Sequence, residues 1–338
     1  MAGLEAVKAT EPTGLLRPLG QEDALRVLAG AAAAGRLAQA YLLVGPAGAG
    51  KGTMAEYVAC GLQCAAASGR PCGLCPDCLA VLRGVHPDVR WLGSDVRLGI
   101  DEARAVREHA SRRPVRGRLS VFVVEACERL TGAAAGALLK VLEEPPGAAL
   151  FLFLADHPAA MEPTLRSRCV VVRLRPVPAG QIEAWLELER PQVPPDDRAF
   201  AARCSDGLPG LARAAADGPS GSAVREVLLG ALAESGSNPA AIVDAAGRLA
   251  ALGASPWSAL TLLRNAAVVA HGLPAEQLGG REAFVDPDQA ASLLADLRFL
   301  VGAAESCLAA ADAEAANVNA VLNWQVLLSR LHRYKSAC

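Results

Sequence analysis

The run Gly45-Pro-Ala-Gly48-Ala-Gly50-Lys51 has the residue types and the G-x-x-x-x-G-K spacing of a phosphate loop. Glycines at those positions let successive backbone N–H groups turn toward an anion. A helix opening at the lysine adds its N-terminal dipole. The lysine ammonium then meets the terminal phosphates of a nucleotide. The hydroxyl that holds Mg²⁺ usually follows the lysine directly; here Gly52 stands in that place and Thr53 comes one residue later. Gly45, Gly48, Gly50, Lys51 and Thr53 are the expected contacts to ATP or ADP, with the metal-binding hydroxyl displaced or missing.

Cys64, Cys72, Cys75 and Cys78 form C-x7-C-x2-C-x2-C. Four thiolates so spaced close a tetrahedral Zn²⁺ site, and Gly73 and Pro76 suit the turns between them. Four protein ligands leave no open coordination position, so the expected zinc is structural. The alternative is a redox C-x-x-C, for which the flanking pattern is poor. Cys60 falls one helical turn before Cys64 and reads as a core thiol. Cys127, Cys169, Cys204, Cys307 and Cys338 are scattered and suggest no chemistry. A third candidate is Glu125, which follows the apolar run Val121–Val124 where a phosphate-loop ATPase carries the acids that bind Mg²⁺ and polarise water. The next residue is Ala126, so one acid stands where two are usual. Glu125 joins the expected nucleotide-binding set; a plain strand-end residue is the alternative.

These residues need elements to place them. Ala40–Val44 is a short apolar run stopped by Gly45, which suits a buried parallel strand. A helix is expected from about Lys51 to Cys64, and further strands at Leu119–Val124, Ala149–Leu154 and Val170–Leu174. Helices are expected at Gln21–Gly35, Gly99–Ala110 and Ala133–Leu142, the last stopped by Pro145-Pro146. Strands alternating with helices imply an α/β fold with a parallel sheet. After Pro176-Val-Pro178 the pattern is helical throughout, and Asp217–Ser222 reads as a linker. The expected organisation is an α/β domain over 1–175, a small helical domain over 176–217 and an all-α domain over 223–338. The apolar faces of Leu260–Val269 and Val318–Leu331 would be buried within that last domain or against other subunits.

A chain of 338 residues accommodates two or three domains. Hydrophobic residues make up 52 %, which supplies cores and argues against global disorder. The net charge of −2 does not fit a self-sufficient nucleic-acid binder, so DNA contact would need a local patch. Arg112, Arg113, Arg116 and Arg118 form one such basic run, which faces a DNA backbone or is a solvated loop. Nothing reads as a signal peptide or a membrane span, so a cytoplasmic protein is expected.

In order along the chain come the phosphate loop, the cysteine cluster, His86-Pro87-Asp88, Gly99-Ile-Asp-Glu-Ala-Arg104, Ala137-Leu-Leu-Lys-Val-Leu-Glu-Glu-Pro-Pro146 and Leu165-Arg-Ser-Arg-Cys169. This ordered set resembles the bacterial clamp-loader AAA+ family, which includes the gamma/tau motor and the delta-prime subunit. The resemblance is firm over the first 175 residues and looser beyond, where Asn319–Leu331 is similar to the family's last collar helix. It implies an AAA+ phosphate-loop domain, a helical lid and a collar. Ser167-Arg168-Cys169 matches the motif whose arginine crosses to a neighbouring subunit's ATP, so Arg168 is the expected catalytic residue in trans. The implied partners are gamma/tau and delta subunits, the sliding clamp and primed DNA. The resemblance also places Ala155 at the sensor-1 threonine and Gly210 at the sensor-2 arginine. With Gly52 and Ala126, four elements of a working ATPase are altered. The implied function is a delta-prime subunit with weak or absent ATPase. The alternatives are a gamma/tau-type motor and a nucleoside monophosphate kinase, whose loop also reads Gly-Lys-Gly-Thr.

Overall fold

The structure is a computed structural model that describes residues 15–93, 99–143, 147–218, 221–233, 239–252, 305–307, 309–310 and 319–336. Pro145-Pro146, Leu260–Val269 and Cys338 lie outside the described residues. Two compact units are formed, residues 1–177 and residues 178–338.

In the first unit β1 (Ala40–Val44), β3 (Ser120–Val124) and β4 (Ala149–Ala155) are apolar and buried on both faces. β2 (Val89–Leu92) and β5 (Val170–Arg173) are the edges of a parallel five-stranded sheet in the order β2-β3-β4-β1-β5. Strand alternation divides the core between two faces. Leu42, Val44, Phe122, Val124, Phe151 and Phe153 share a cluster with Ala103 and Val106 of α4 (Ile100–Ala110) and Leu138 and Val141 of α5 (Gly132–Glu143). Phe122 and Phe151 stack with ring centroids 5.0 Å apart. The remaining helices of this unit are α1 (Glu22–Ala33), α2 (Lys51–Gln63), α3 (Pro76–Leu82) and α6 (Pro163–Arg166).

The expectation of four strands is one short. β2 is only four residues long, and Arg90 interrupts its apolar pattern. Its pairing with β3, from Val89 opposite Val121 to Leu92 opposite Val124, identifies it, and that is information from across the sheet.

The second unit is helical as described: α7 (Ala179–Glu189), α8 (Pro195–Cys204), α9 (Pro209–Asp217), α10 (Gly221–Ala233), α11 (Pro239–Leu252) and α12 (Ala320–Ser336). α7, α8 and α9 pack on one another, and α8 also packs on α10. Arg190 holds the two ends of the α7–α9 group together, with its Nε and Nη2 at 2.5 and 3.0 Å from the two carboxylate oxygens of Asp217. That pair keeps the Asp217 carboxyl below its usual range. Trp324, Leu327, Leu328 and Leu331 of α12 are buried with Val224, Leu228, Ala246 and Leu249. Val321, Leu322 and Val326 on the same helix are exposed. The apolar face of this helix therefore divides between its own unit and the surface.

Candidate functional site

The C-terminal ends of β1, β3 and β4 lie side by side, where open α/β sheets hold their ligands. The segment after β1 turns through left-handed backbone at Gly48 (φ +83°) and Gly50 (φ +89°), conformations that glycine adopts without a Cβ penalty. Lys51 then opens α2. The backbone therefore has the phosphate-loop course that the motif implies. Thr53 is half-buried on the first turn of α2. A Cβ built on Gly52 meets nothing within 4 Å, so packing does not require glycine there.

The lysine is engaged within its own chain. Its Nζ donates to the carbonyl oxygens of Gly45 (2.7 Å) and Pro46 (2.9 Å) and forms an ion pair with Asp156. Asp156 is the residue after β4, next to the buried Ala155. Its backbone N–H donates to Glu128 Oε1 at 3.1 Å, and Glu128 Oε2 is buried with no hydrogen-bond partner. Glu125 is half-buried at the end of β3, where its N–H donates to Leu92 O at 2.9 Å. Ala126 follows in left-handed backbone (φ +44°), a mildly strained setting for a residue with a Cβ. The candidate site therefore pairs the Lys51 ammonium with Asp156, which Glu128 holds through its N–H, while Glu125, the one acid found by sequence reasoning, ends β3. Asp156 and Glu128 were missed because neither falls in a motif position.

Arg168 lies just before β5 at the surface. Its Nη1 donates to Thr164 O at 3.0 Å, and its Nη2 lies 2.5 Å from Glu143 Oε1 at the end of α5. Both the arginine and its carboxylate partner are well exposed, 40 % and 43 %. The guanidinium is thus aimed by a single carboxylate and a helix-end carbonyl, and it stays open to water. Gly210 stands in the first turn of α9, with no side chain to project.

The four cysteines converge. Cys64 caps the end of α2, Cys75 is the N-cap of α3 ahead of Pro76, and Cys78 lies in the first turn of α3. Their Sγ atoms all lie within 4.8 Å of one another, with Cys75 and Cys64 at 4.0 Å. A tetrahedron of thiolates at about 2.3 Å from Zn²⁺ has edges of roughly 3.8 Å, so the set fits that ion. Backbone N–H groups of Cys72, Cys75 and Cys78 point at Cys64, Cys72 and Cys75 Sγ respectively, each at 3.4 Å. Such donors favour the thiolate form. At Cys75 burial opposes ionisation, yet the N–H groups of Cys78 and Ala65 outweigh it and bring the thiol down to about 6. Cys64 and Cys78 are pushed up by burial. Cys60 lies beside the cluster, but burial and the nearby Glu56 carboxyl push its thiol up to about 12, which suits a core thiol.

His86-Pro87-Asp88 forms a bracket between this cysteine loop and the sheet. The Asp88 carboxylate accepts three backbone N–H groups, from Val115 (2.6 Å), Arg116 (2.8 Å) and Gly117 (2.7 Å). Burial alone would raise its pKa, but these donors hold it below the usual carboxylate range. His86 Nδ1 accepts from the Asp88 N–H at 3.1 Å, and burial keeps the ring on the neutral side. Arg116 lies 3.0 Å from Asp77, and Arg112 lies 2.6 Å from Glu108. Two of the four arginines in the basic run are therefore already paired within the chain. Arg113 and Arg118 are exposed.

Comparison with known proteins places these features. The family described as DNA polymerase III, delta subunit, matches residues 20–178. Over 206 residues the chain is 36 % identical to the delta-prime subunit of DNA polymerase III from Escherichia coli, covering 60 % of this chain and 61 % of that protein. The delta-prime subunit of Pseudomonas aeruginosa is 37 % identical over 164 residues, 46 % of this chain and 49 % of that protein. Over residues 20–178 the chain resembles the bacterial DNA polymerase III clamp-loader family. Within that family it is also similar to the gamma/tau subunit of Mycobacterium tuberculosis, at 35 % over 178 residues, 52 % of this chain and 31 % of that protein. It spans about a third of the gamma/tau relatives and about half to three fifths of the delta-prime relatives. The similarity over residues 20–178 is to clamp-loader subunits, which weighs against the monophosphate kinase. The matched segment of the family covers the whole sheet, including β2, and both the phosphate loop and the cysteine loop. No described helix is long and apolar enough to cross a membrane.

Proposed function

We propose that this chain is a delta-prime-type subunit of the clamp loader, one that gives an arginine to a neighbour and does little nucleotide chemistry itself. In this reading it works with gamma/tau and delta subunits to load the sliding clamp on primed DNA. Residues 176–217 serve as the lid and 223–338 as the collar. The four cysteines hold a structural Zn²⁺, whose double positive charge would let all four thiols ionise and would tie the end of α2 to the start of α3. The observation that carries the reading is the contrast between Lys51 and Arg168. The first cation is taken up within its own chain and largely buried, while the second, paired with Glu143, stands exposed at the surface where another subunit can meet it. A guanidinium at a γ-phosphate stabilises charge that develops in the transition state.

The similarity to gamma/tau subunits supports a second reading, an active motor. Gly52, Ala126, Ala155 and Gly210 weigh against it, because each removes a side chain that a motor uses on metal, water or phosphate. The test is a loader reconstituted with this chain or its Arg168→Ala variant, with ATP turnover measured in the presence of clamp and primed DNA. We expect intact assembly and a fall of about tenfold or more in turnover. Equal turnover by the two loaders would reject the arginine role, and turnover by the isolated chain at the rate of a motor subunit would favour the second reading.

A further inference from the structure

An ammonium has three N–H donors and no more. At Lys51 the three acceptors are already present: Gly45 O, Pro46 O and the Asp156 carboxylate. A phosphate entering the loop must displace one of them. The two carbonyls belong to the loop itself, so Asp156 is the acceptor that can leave. Its side chain is 40 % exposed, whereas that of Lys51 is 12 % exposed, which puts the carboxylate at the mouth and the ammonium within. Asp156 is also fixed in place, since its backbone N–H donates to Glu128. Glu125 and Glu128 follow β3, in and just before the turn Cys127–Arg129.

We propose that Asp156 is an internal occupant of the phosphate loop. Its carboxylate takes the donor of Lys51 that a nucleotide's phosphate would receive, and so maintains the loop's anion-accepting shape while keeping polyphosphate out. A carboxylate is a fair stand-in for one face of a phosphate, with two oxygens and a negative charge. Gly52 fits the same picture, because a loop filled from within has no use for the hydroxyl that orders Mg²⁺ around a nucleotide. The inference rests on the loop and not on Arg168, so the loader turnover test and the one below can fail separately.

The experiment is equilibrium binding of ADP and ATP to the full chain, with and without Mg²⁺, by fluorescence of a labelled nucleotide and by thermal shift. Wild type is compared with Asp156→Asn, which keeps shape and removes charge, and with Asp156→Thr. Each is also measured with Lys51→Ala added. We expect both single variants to bind about tenfold more tightly than wild type, a change of about 1.4 kcal/mol. The gain should vanish in the Lys51→Ala background. Equal affinity in wild type and in variants that melt as cooperatively would overturn the proposal, as would a gain that survives loss of Lys51. If Asp156→Thr does not fold, Asp156→Asn alone decides.

Discussion

At the four-cysteine loop the side chains converge and leave the compensating charge to be supplied from outside. At the phosphate loop the charge is already met from within. Both backbones follow the course their motifs imply, with glycine or proline at the turns and a helix starting on cue. They differ in what completes them. Four sulfur atoms within 4.8 Å cannot all be thiolates without a cation among them, so that loop is arranged to accept a metal. Lys51 is a cation with all three donors accepted, so that loop needs no added charge. A shared degree of backbone order therefore conceals opposite needs, and the way to separate them is to remove one partner at a time.

The largest effect is expected at the cysteines. Cys72→Ser, or chelation of wild type, should release zinc and destabilise residues 1–177 by about 4 kcal/mol, because the metal's binding energy is folding energy. In a unit of this size that is a fall in Tm of roughly 8–16 °C. Elemental mass spectrometry and thermal melts check both halves. A wild-type chain with no bound zinc, or a variant that keeps it, would break the comparison, since both loops would then be complete without a ligand.

Next in size is the bracket between the cysteine loop and the sheet. Asp88→Asn keeps the shape but replaces a carboxylate that accepts three N–H groups with an amide that has one acceptor oxygen. A loss of about 2 kcal/mol is expected. The folded pKa of Asp88 lies below its unfolded value. Its contribution is therefore fully present above the unfolded value, about 3.9, and is lost as the pH falls through the folded one. Denaturant titrations of wild type should show an acid loss of stability below about pH 4 that the variant lacks in part. Curves that stay parallel down to the acid limit would mean that Asp88 does not hold the 115–117 segment through its charge.

Much of this was legible in the sequence. The loop glycines and Lys51, the spacing of Cys64, Cys72, Cys75 and Cys78, and the apolar runs of β1, β3, β4 and β5 each carry their information within a few residues. What was not legible is what depends on two distant residues meeting. β2 needs β3 to be recognised as a strand. Asp156 is 105 residues after Lys51 and looks like any residue leaving a strand, until the parallel register sets β4 beside β1. Glu143 is likewise a helix-end acid until α5 and the turn before β5 bring it to Arg168. The basic run of Arg112, Arg113, Arg116 and Arg118 is a charge pattern in the sequence, and the i,i+4 partner of Arg112, Glu108, is legible there too, but Asp77, which pairs with Arg116, comes from α3. Motifs specify backbone shape and first partners; charge pairing across the sheet decides whether a site is available.

The smallest effect is the one that divides two explanations for the weak nucleotide chemistry proposed for this loop. In that proposal either the missing hydroxyl at residue 52 or the occupying carboxylate at residue 156 keeps nucleotide away, and Gly52→Thr tests them against each other. The site has room for the added side chain, since nothing lies within 4 Å of a Cβ there. Replacing glycine near the start of α2 should also raise stability by a few tenths of a kcal/mol through helix propensity. If Asp156 is the occupant, Gly52→Thr alone leaves nucleotide affinity unchanged, because Lys51 is still taken. Combined with Asp156→Asn, it should add a further gain of about threefold that appears with Mg²⁺ and disappears with EDTA, a coupling readable from the four-chain cycle. Restoration of Mg²⁺-dependent binding by Gly52→Thr alone would reverse the order of causes and make the hydroxyl, not the carboxylate, the element that separates this loop from one that binds nucleotide.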